Sequence, residues 1–192
     1  KVFVTGGTMS PDFPMTGSGY QTRFGGDVDG FILRLSEEGE RLEAGTFLGT
    51  NLYDQAYFID LDPDGNIYAF GQTSGQYPVS EDVYSNPNSG QFLHKLTPDL
   101  RTSLLSTVLG SSSGIPDISP TAFLVNECGN IFMSGWGGRI NGFEAKYNGG
   151  NTFGMPVTDD AFQPNTDGSD FYLMVLLADA GKLLYGTFLG AT

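Results

Sequence analysis

One cysteine, one histidine and few basic residues are what this 192-residue chain has least of, and each shortage removes a class of chemistry. The lone cysteine, Cys128, excludes an internal disulfide and any cluster built on several thiolates. The lone histidine, His94, excludes every mechanism that needs two imidazoles. Nine Lys and Arg (9) against 22 Asp and Glu leave a net charge of −13. That balance argues against binding nucleic acid, whose affinity comes largely from cationic contacts to phosphate, and against an anionic membrane surface. No apolar stretch reaches the ~18–20 residues that a spanning helix needs, so no membrane insertion is expected. The opening run, Lys1 to Gly7, is strand-like and lacks the long apolar region and cleavage site of a signal peptide.

What is present points one way. Hydrophobic residues at 39% suffice for a core, and 13% aromatics are too many for a disordered chain. With 28 Gly and 10 Pro, turns are favoured over long helices, and the chain reads as all-β.

Internal repeats sharpen that reading. Val2-Phe3-Val4-Thr5-Gly6 is echoed by Ile67-Tyr68-Ala69-Phe70-Gly71 and Ile131-Phe132-Met133-Ser134-Gly135. Phe13-Pro14-Met15-Thr16 returns as Tyr77-Pro78-Val79-Ser80 and Met155-Pro156-Val157-Thr158. Phe31 to Leu35 matches Phe92 to Leu96 and Tyr172 to Leu176. Gly45-Thr46-Phe47-Leu48-Gly49 matches Ser106 to Gly110 and Gly186 to Gly190. Each element is short, rich in aromatic and β-branched residues, and bounded by turn formers, so each reads as a strand. Ala56 to Asp62 and Thr121 to Asn126 add another strand type, followed by the hairpin turns Asp64-Gly65-Asn66 and Cys128-Gly129-Asn130.

Four strands per unit of about 60 residues match a blade of a β-propeller. The expected organisation is three blade-repeat units, 1–65, 66–129 and 130–192, the last carrying an inserted loop at about 136–154. Eleven strands are expected, three in the first unit and four in each of the others, the missing partner lying outside the chain. Since propellers typically need four to eight blades, the chain reads as part of a larger one. A β-sandwich or a three-fold β-prism is the competing architecture.

The repeated order resembles the SBBP (seven-bladed β-propeller) repeat. The likeness rests on Val4-Thr5-Gly6-Gly7-Thr8, Asp12-Phe13-Pro14, Asp160-Ala161-Phe162-Gln163, the Gly-Thr-Phe-Leu-Gly strands and the Asp62 to Tyr68 hairpin. Cys128 to Gly138 and Thr166 to Tyr172 look like segments of large Bacteroidetes surface proteins that end in gliding-motility-associated, type IX secretion sorting domains. The resemblance implies export, a secreted or cell-surface location and a multidomain parent. It supplies no catalytic residues.

The candidate sites follow from residue type and spacing. His94 aligns with Leu33 and Met174 on the strand face of Phe92 and Leu96, which points it into the core as a structural residue. Asp60, Asp62 and Asp64 match the first half of a calcium loop, where alternate carboxylates converge on one hard cation. Tyr68 and Gly71 occupy the later ligand positions, and Asp-Gly-Asn is a good turn without metal. Calcium is therefore the one candidate cofactor, with a plain hairpin as the alternative. Asp27, Asp29, Asp167 and Asp170 stand at strand starts, where carboxylates accept backbone N–H bonds or bind calcium together with carbonyls. Trp136, flanked by glycines, offers either a sugar-stacking platform or a wedge between blades, with Phe143, Tyr147 and Phe153 beside it in the insertion. Cys128 at its hairpin is open to pairing with a cysteine outside the chain.

The function expected is a non-enzymatic propeller module of an exported bacterial surface protein, serving scaffold or adhesion. Its partners would be other blades or domains of the same polypeptide and a surface glycan or protein. The rivals are a polysaccharide-acting propeller enzyme, using carboxylates such as Asp27, Asp29, Asp159, Asp160 or Asp170, and a component or cargo of the type IX secretion machinery.

Overall fold

Alternating apolar and polar positions broken by Gly, Asn and Asp yield strands and hairpins. The computed structural model of the chain, described for residues 1–137 and 150–190, contains three antiparallel sheets. Sheet 1 is β1 (Val2–Thr8), β2 (Asp29–Leu35) and β3 (Leu42–Leu48). Sheet 2 is β4 (Asp54–Leu61), β5 (Ile67–Thr73), β6 (Gln91–Leu96) and β7 (Ser103–Leu109). Sheet 3 is β8 (Ser119–Val125), β9 (Ile131–Trp136), β10 (Phe171–Leu176) and β11 (Leu183–Leu189). Each sheet meanders in chain order, and the only helical turn among the described residues is a 3₁₀ turn at Ala178–Ala180. The protein is all-β. Sheet boundaries at Asp54 and Ser119 run one strand out of phase with the sequence period, because β4 pairs with β5 across the Asp62–Asn66 turn.

The two hairpin turns are built alike. Gly65 and Gly129 take positive φ of 79° and 77°, a conformation glycine adopts without steric cost. Asp62 Oδ1 accepts the N–H groups of Asp64 and Asn66, and Asn126 Oδ1 accepts those of Cys128 and Asn130.

The second recurrent element is not a strand, which corrects the sequence expectation. Its proline lacks a donor for a ladder, and the segment instead lies across its own sheet. Phe13 packs on Phe31 and Tyr77 on Phe92, each with ring centroids 4.4 Å apart, while Met155 joins the core cluster of Tyr172. Two residues beyond each proline, the hydroxyl oxygens of Thr16, Ser80 and Thr158 accept the N–H of Gly45, Ser106 and Gly186, at 3.0, 2.9 and 3.3 Å. These bonds partly satisfy the outer strands β3, β7 and β11, which would otherwise present open edges.

Two cores result. Between sheets 1 and 2 lie Ile32, Ala44 and Leu48 against Ala56, Ala69, Phe92 and Val108. Between sheets 2 and 3 lie Tyr68, Phe70, Leu93 and Leu109 against Met133, Tyr172, Met174 and Phe188. All seven residues of β5 are consequently buried, its side chains going alternately to either neighbour. Full burial of each large side chain contributes roughly 1.5–3 kcal/mol. In β10 the alternation differs: Tyr172, Met174 and Leu176 are buried, whereas Phe171, Leu173 and Val175 are only half-buried. With Phe132 and the exposed Leu124 they form an apolar face on sheet 3. By the repeat alignment, Phe132, Leu173 and Leu189 correspond to Tyr68, Leu93 and Leu109, the residues by which sheet 2 packs on sheet 3.

Candidate functional site

A concavity opens where the loops at one end of sheet 2 meet. The β3–β4 loop supplies Asn51 and Leu52, and the long β5–β6 connection supplies Ser74 to Tyr77, Val79, Ser85 and Pro87 to Ser89. Val108 and Gly114 complete a cleft of about 530 Å³. Its lining is wholly uncharged. Amides and hydroxyls alternate with Leu52 and Val79, which are 46% and 45% exposed. Loop geometry holds these groups in place: Asn88, at a positive φ of 62°, donates from Nδ2 to the Ser112 carbonyl, and its own carbonyl accepts the Gly114 N–H. Such a surface offers hydrogen bonds and aliphatic contact but no counter-charge.

His94 lies in the core between sheets 1 and 2, fully buried. Its Nδ1 is 2.9 Å from the Tyr77 hydroxyl and its Nε2 is 2.8 Å from Ser103 Oγ. Burial lowers its pKa to about 4, so the ring is neutral at pH 7 and both nitrogens are engaged. The alternation argument from sequence places this residue as found.

The three aspartates of the calcium-like stretch do different work. Asp60 Oδ2 accepts the Val125 N–H at 2.8 Å, tying sheet 2 to sheet 3. Asp62 holds the hairpin turn and pairs with Lys95 Nζ at 3.2 Å, while Asp64 is exposed. Lys95 also reaches Asp179 at 2.8 Å and lies over the Tyr68 ring, so an ammonium already stands beside Asp62. Burial opposes that charge, but the bonds with Asp179, Tyr68 and Asp62 outweigh it and hold the lysine pKa above its ordinary value. Among the described residues no three His, Cys, Asp or Glu side chains are arranged to hold a metal.

Trp136 ends β9, opposite Phe171 and Ser119, and is half-buried. Its glycine neighbours serve close packing, since a Cβ on Gly135 would come within 2.5 Å of the Ser119 carbonyl oxygen and one on Gly137 within 2.6 Å of the Gly168 oxygen. Phe153 is 57% exposed and its ring covers Gly168. Trp136 and Phe153 thus sit at the same end of sheet 3, while Phe143 and Tyr147 lie outside the described residues. Cys128 is exposed on its hairpin, with its thiol free among the described residues.

The strand-start carboxylates accept turn hydrogen bonds in a repeated pattern. Asp29 Oδ2 accepts Gln21 Nε2–H at 3.0 Å, and Asp170 Oδ2 accepts Gln163 Nε2–H at 3.1 Å. Each glutamine also receives a backbone N–H at its side-chain oxygen, from Gly49 and Gly190 respectively. Sequence reasoning singled out the aspartates but missed the glutamines; a Gln eight residues before Asp29 and seven before Asp170 was the available signal. The cleft residues were also missed, because loop polar residues carry no periodicity to mark them. No helix is long and apolar enough to cross a membrane among the described residues. Neither a family model nor a curated protein matches the chain.

Proposed function

We propose that the three sheets are consecutive blades of a β-propeller, and that the chain is a non-enzymatic binding module of an exported bacterial surface protein. Repetition at the level of packing supports the propeller. Equivalent residues bury the faces between successive sheets, and an apolar face of the same make-up remains on sheet 3 for a further blade of the same polypeptide. The resemblance to the SBBP repeat and to surface proteins of the gliding bacteria supports the location.

The cleft on sheet 2 is the observation that carries the binding role. Its hydroxyl and amide lining with exposed aliphatic side chains suits a neutral, hydroxyl-rich ligand, the class to which uncharged surface glycans belong. A protein of net charge −13 disfavours anionic ligands by repulsion, and the lining offers a cation no carboxylate. The polysaccharide-enzyme reading finds less support. Asp29 and Asp54 are carboxylates whose burial raises their pKa, but both are fully buried and neither lines the cleft.

A neutral-glycan microarray tests the reading. Leu52→Lys and Val79→Lys, both at exposed positions, are expected to abolish binding without changing the far-UV circular dichroism. A companion chain lacking 138–152 is expected to bind as the parent does. Array silence for the unaltered chain, or loss confined to the deletion, rejects the cleft as the binding site.

A further inference from the structure

A parallel bridge between Val28 and Tyr53 joins sheets 1 and 2 at one end, and there the Asp54 N–H donates to the Val28 carbonyl at 2.7 Å. Asp29 and Asp54 are the next residues in that register, so their side chains leave neighbouring segments on the same side. Both are 0% exposed. One oxygen of each is well satisfied. Asp29 Oδ2 accepts the Gly25 N–H at 2.8 Å and Gln21 Nε2–H at 3.0 Å. Asp54 Oδ2 accepts the Thr50 N–H at 2.6 Å and its hydroxyl at 2.7 Å. The other oxygen, Oδ1, accepts no hydrogen bond in either residue among the described residues. Thr73 stands opposite Asp54 across the β4–β5 ladder, close enough to favour its charged form, yet its hydroxyl donates to the Gly75 carbonyl at 3.4 Å.

The junction between sheets 2 and 3 provides an internal comparison. There a single buried carboxylate, Asp117, takes the N–H of Ser111 at 2.8 Å and the hydroxyls of Ser111 and Ser113. Its neighbour is a neutral amide, Gln91, whose Oε1 accepts the Asp117 N–H. One carboxylate is self-sufficient; two in register leave two bare oxygens and no lysine or arginine paired with them among the described residues. Burial chiefly, and the neighbouring Asp54 charge in addition, push Asp29 up to about 6, and burial raises Asp54 as well. Such an arrangement is costly unless a counter-charge joins it.

We propose that Asp29 and Asp54 together bind one calcium-class divalent cation at this junction. Calcium takes six to eight oxygens and tolerates irregular geometry, so two carboxylate oxygens with carbonyls and water suffice. Carbonyls are at hand. The Thr50 and Asn51 oxygens approach Gly25 and Gly26 to within 2.1 and 2.3 Å of where a Cβ would stand, so only glycine admits them beside the Asp29 turn. The cation would join β2 to β4 and hence one sheet to the next. This site is separate from the Asp60, Asp62 and Asp64 stretch and independent of the glycan reading.

The test uses the whole chain, stripped with chelator, at about pH 7.5. Titration calorimetry with calcium chloride is expected to give one site per chain, and saturating calcium is expected to raise the melting temperature by roughly 5 °C or more. Asp29→Asn with Asp54→Asn is expected to lose that response and to melt without calcium at or above the unaltered chain, since the repulsion is gone. Should the double variant not fold, the unaltered chain alone decides. Absence of calcium binding there overturns the proposal.

Discussion

Replacing His94 with leucine isolates what a buried neutral imidazole contributes, and the chain itself supplies the precedent, since Leu33 and Met174 hold the equivalent positions. At pH 7.5 His94→Leu removes both partners' bonds. Ser103 is half-buried and can turn to water, but the hydroxyl of Tyr77, a residue only 6% exposed, is left unsatisfied. That orphan costs about 1–3 kcal/mol. Acidification acts in the opposite sense. A histidine whose folded pKa is about 4 against an ordinary 6.5 binds fewer protons folded than unfolded, so its stabilising share is complete above pH 6.5 and is lost as pH falls toward 4. Between pH 7.5 and 5 the loss amounts to about 2 kcal/mol. Asp29 has the opposite sign, because its folded pKa is raised: its carboxylate costs stability above about pH 6 and is relieved below. That contribution is common to both proteins and cancels in their difference. Urea unfolding followed by circular dichroism at the two pH values is therefore expected to find the gap between parent and variant narrowed at pH 5 by about 2 kcal/mol. Adding Tyr77→Phe to His94→Leu is expected to recover most of the loss at pH 7.5, since neither partner is then left unpaired. Parallel pH dependence of parent and variant would refute the buried neutral ring.

Other consequences are directly measurable. Lys95→Met strands Asp62, whose side chain is 7% exposed, and is expected to cost about 3 kcal/mol by chemical denaturation, whereas removing the exposed Asp179 partner should cost under about 1 kcal/mol. Thr16→Val, Ser80→Ala and Thr158→Val each delete an acceptor for an outer strand. Faster hydrogen exchange at Gly45, Ser106 and Gly186 respectively is expected, with losses of about 1 kcal/mol apiece. Phe70→Ala opens the core between sheets 2 and 3, where Phe70 stacks on Phe123 at 5.6 Å, and is expected to cost about 3–5 kcal/mol in the same denaturation assay. Gly71→Ala is expected to prevent folding, because its Cβ would meet the Gln55 carbonyl oxygen at 2.1 Å and the Phe92 ring at 2.6 Å; a chain with native circular dichroism would contradict that placement.

Much of this fold is readable in order along the chain, because strands are encoded by alternation and turns by glycine, asparagine and aspartate. The recurrence of Phe-Leu-His-Lys-Leu-type segments located β2, β6 and β10, and Gly65 and Gly129 located two hairpins. The Phe-Pro, Tyr-Pro and Met-Pro segments have the composition of strands, yet their partner is the face of their own sheet rather than a ladder. Composition cannot tell those two kinds of burial apart. Asp62 shows the same limit: its spacing fits a metal loop, and only the arrival of Lys95 from β6 reveals that a cation of the protein's own already sits there.

The repeat, the strand content and the inward direction of His94 follow from local sequence, because side-chain alternation along a strand needs no knowledge of neighbours. Which residues meet across the sheets depends on contacts between positions far apart in the chain. The placing of Asp29 and Asp54 beside the Val28–Tyr53 bridge, the bond from Val125 to Asp60 and the uncharged cleft formed by the loops around Asn51, Gln76 and Asn88 arise from packing, because each requires separate turns to converge in three dimensions.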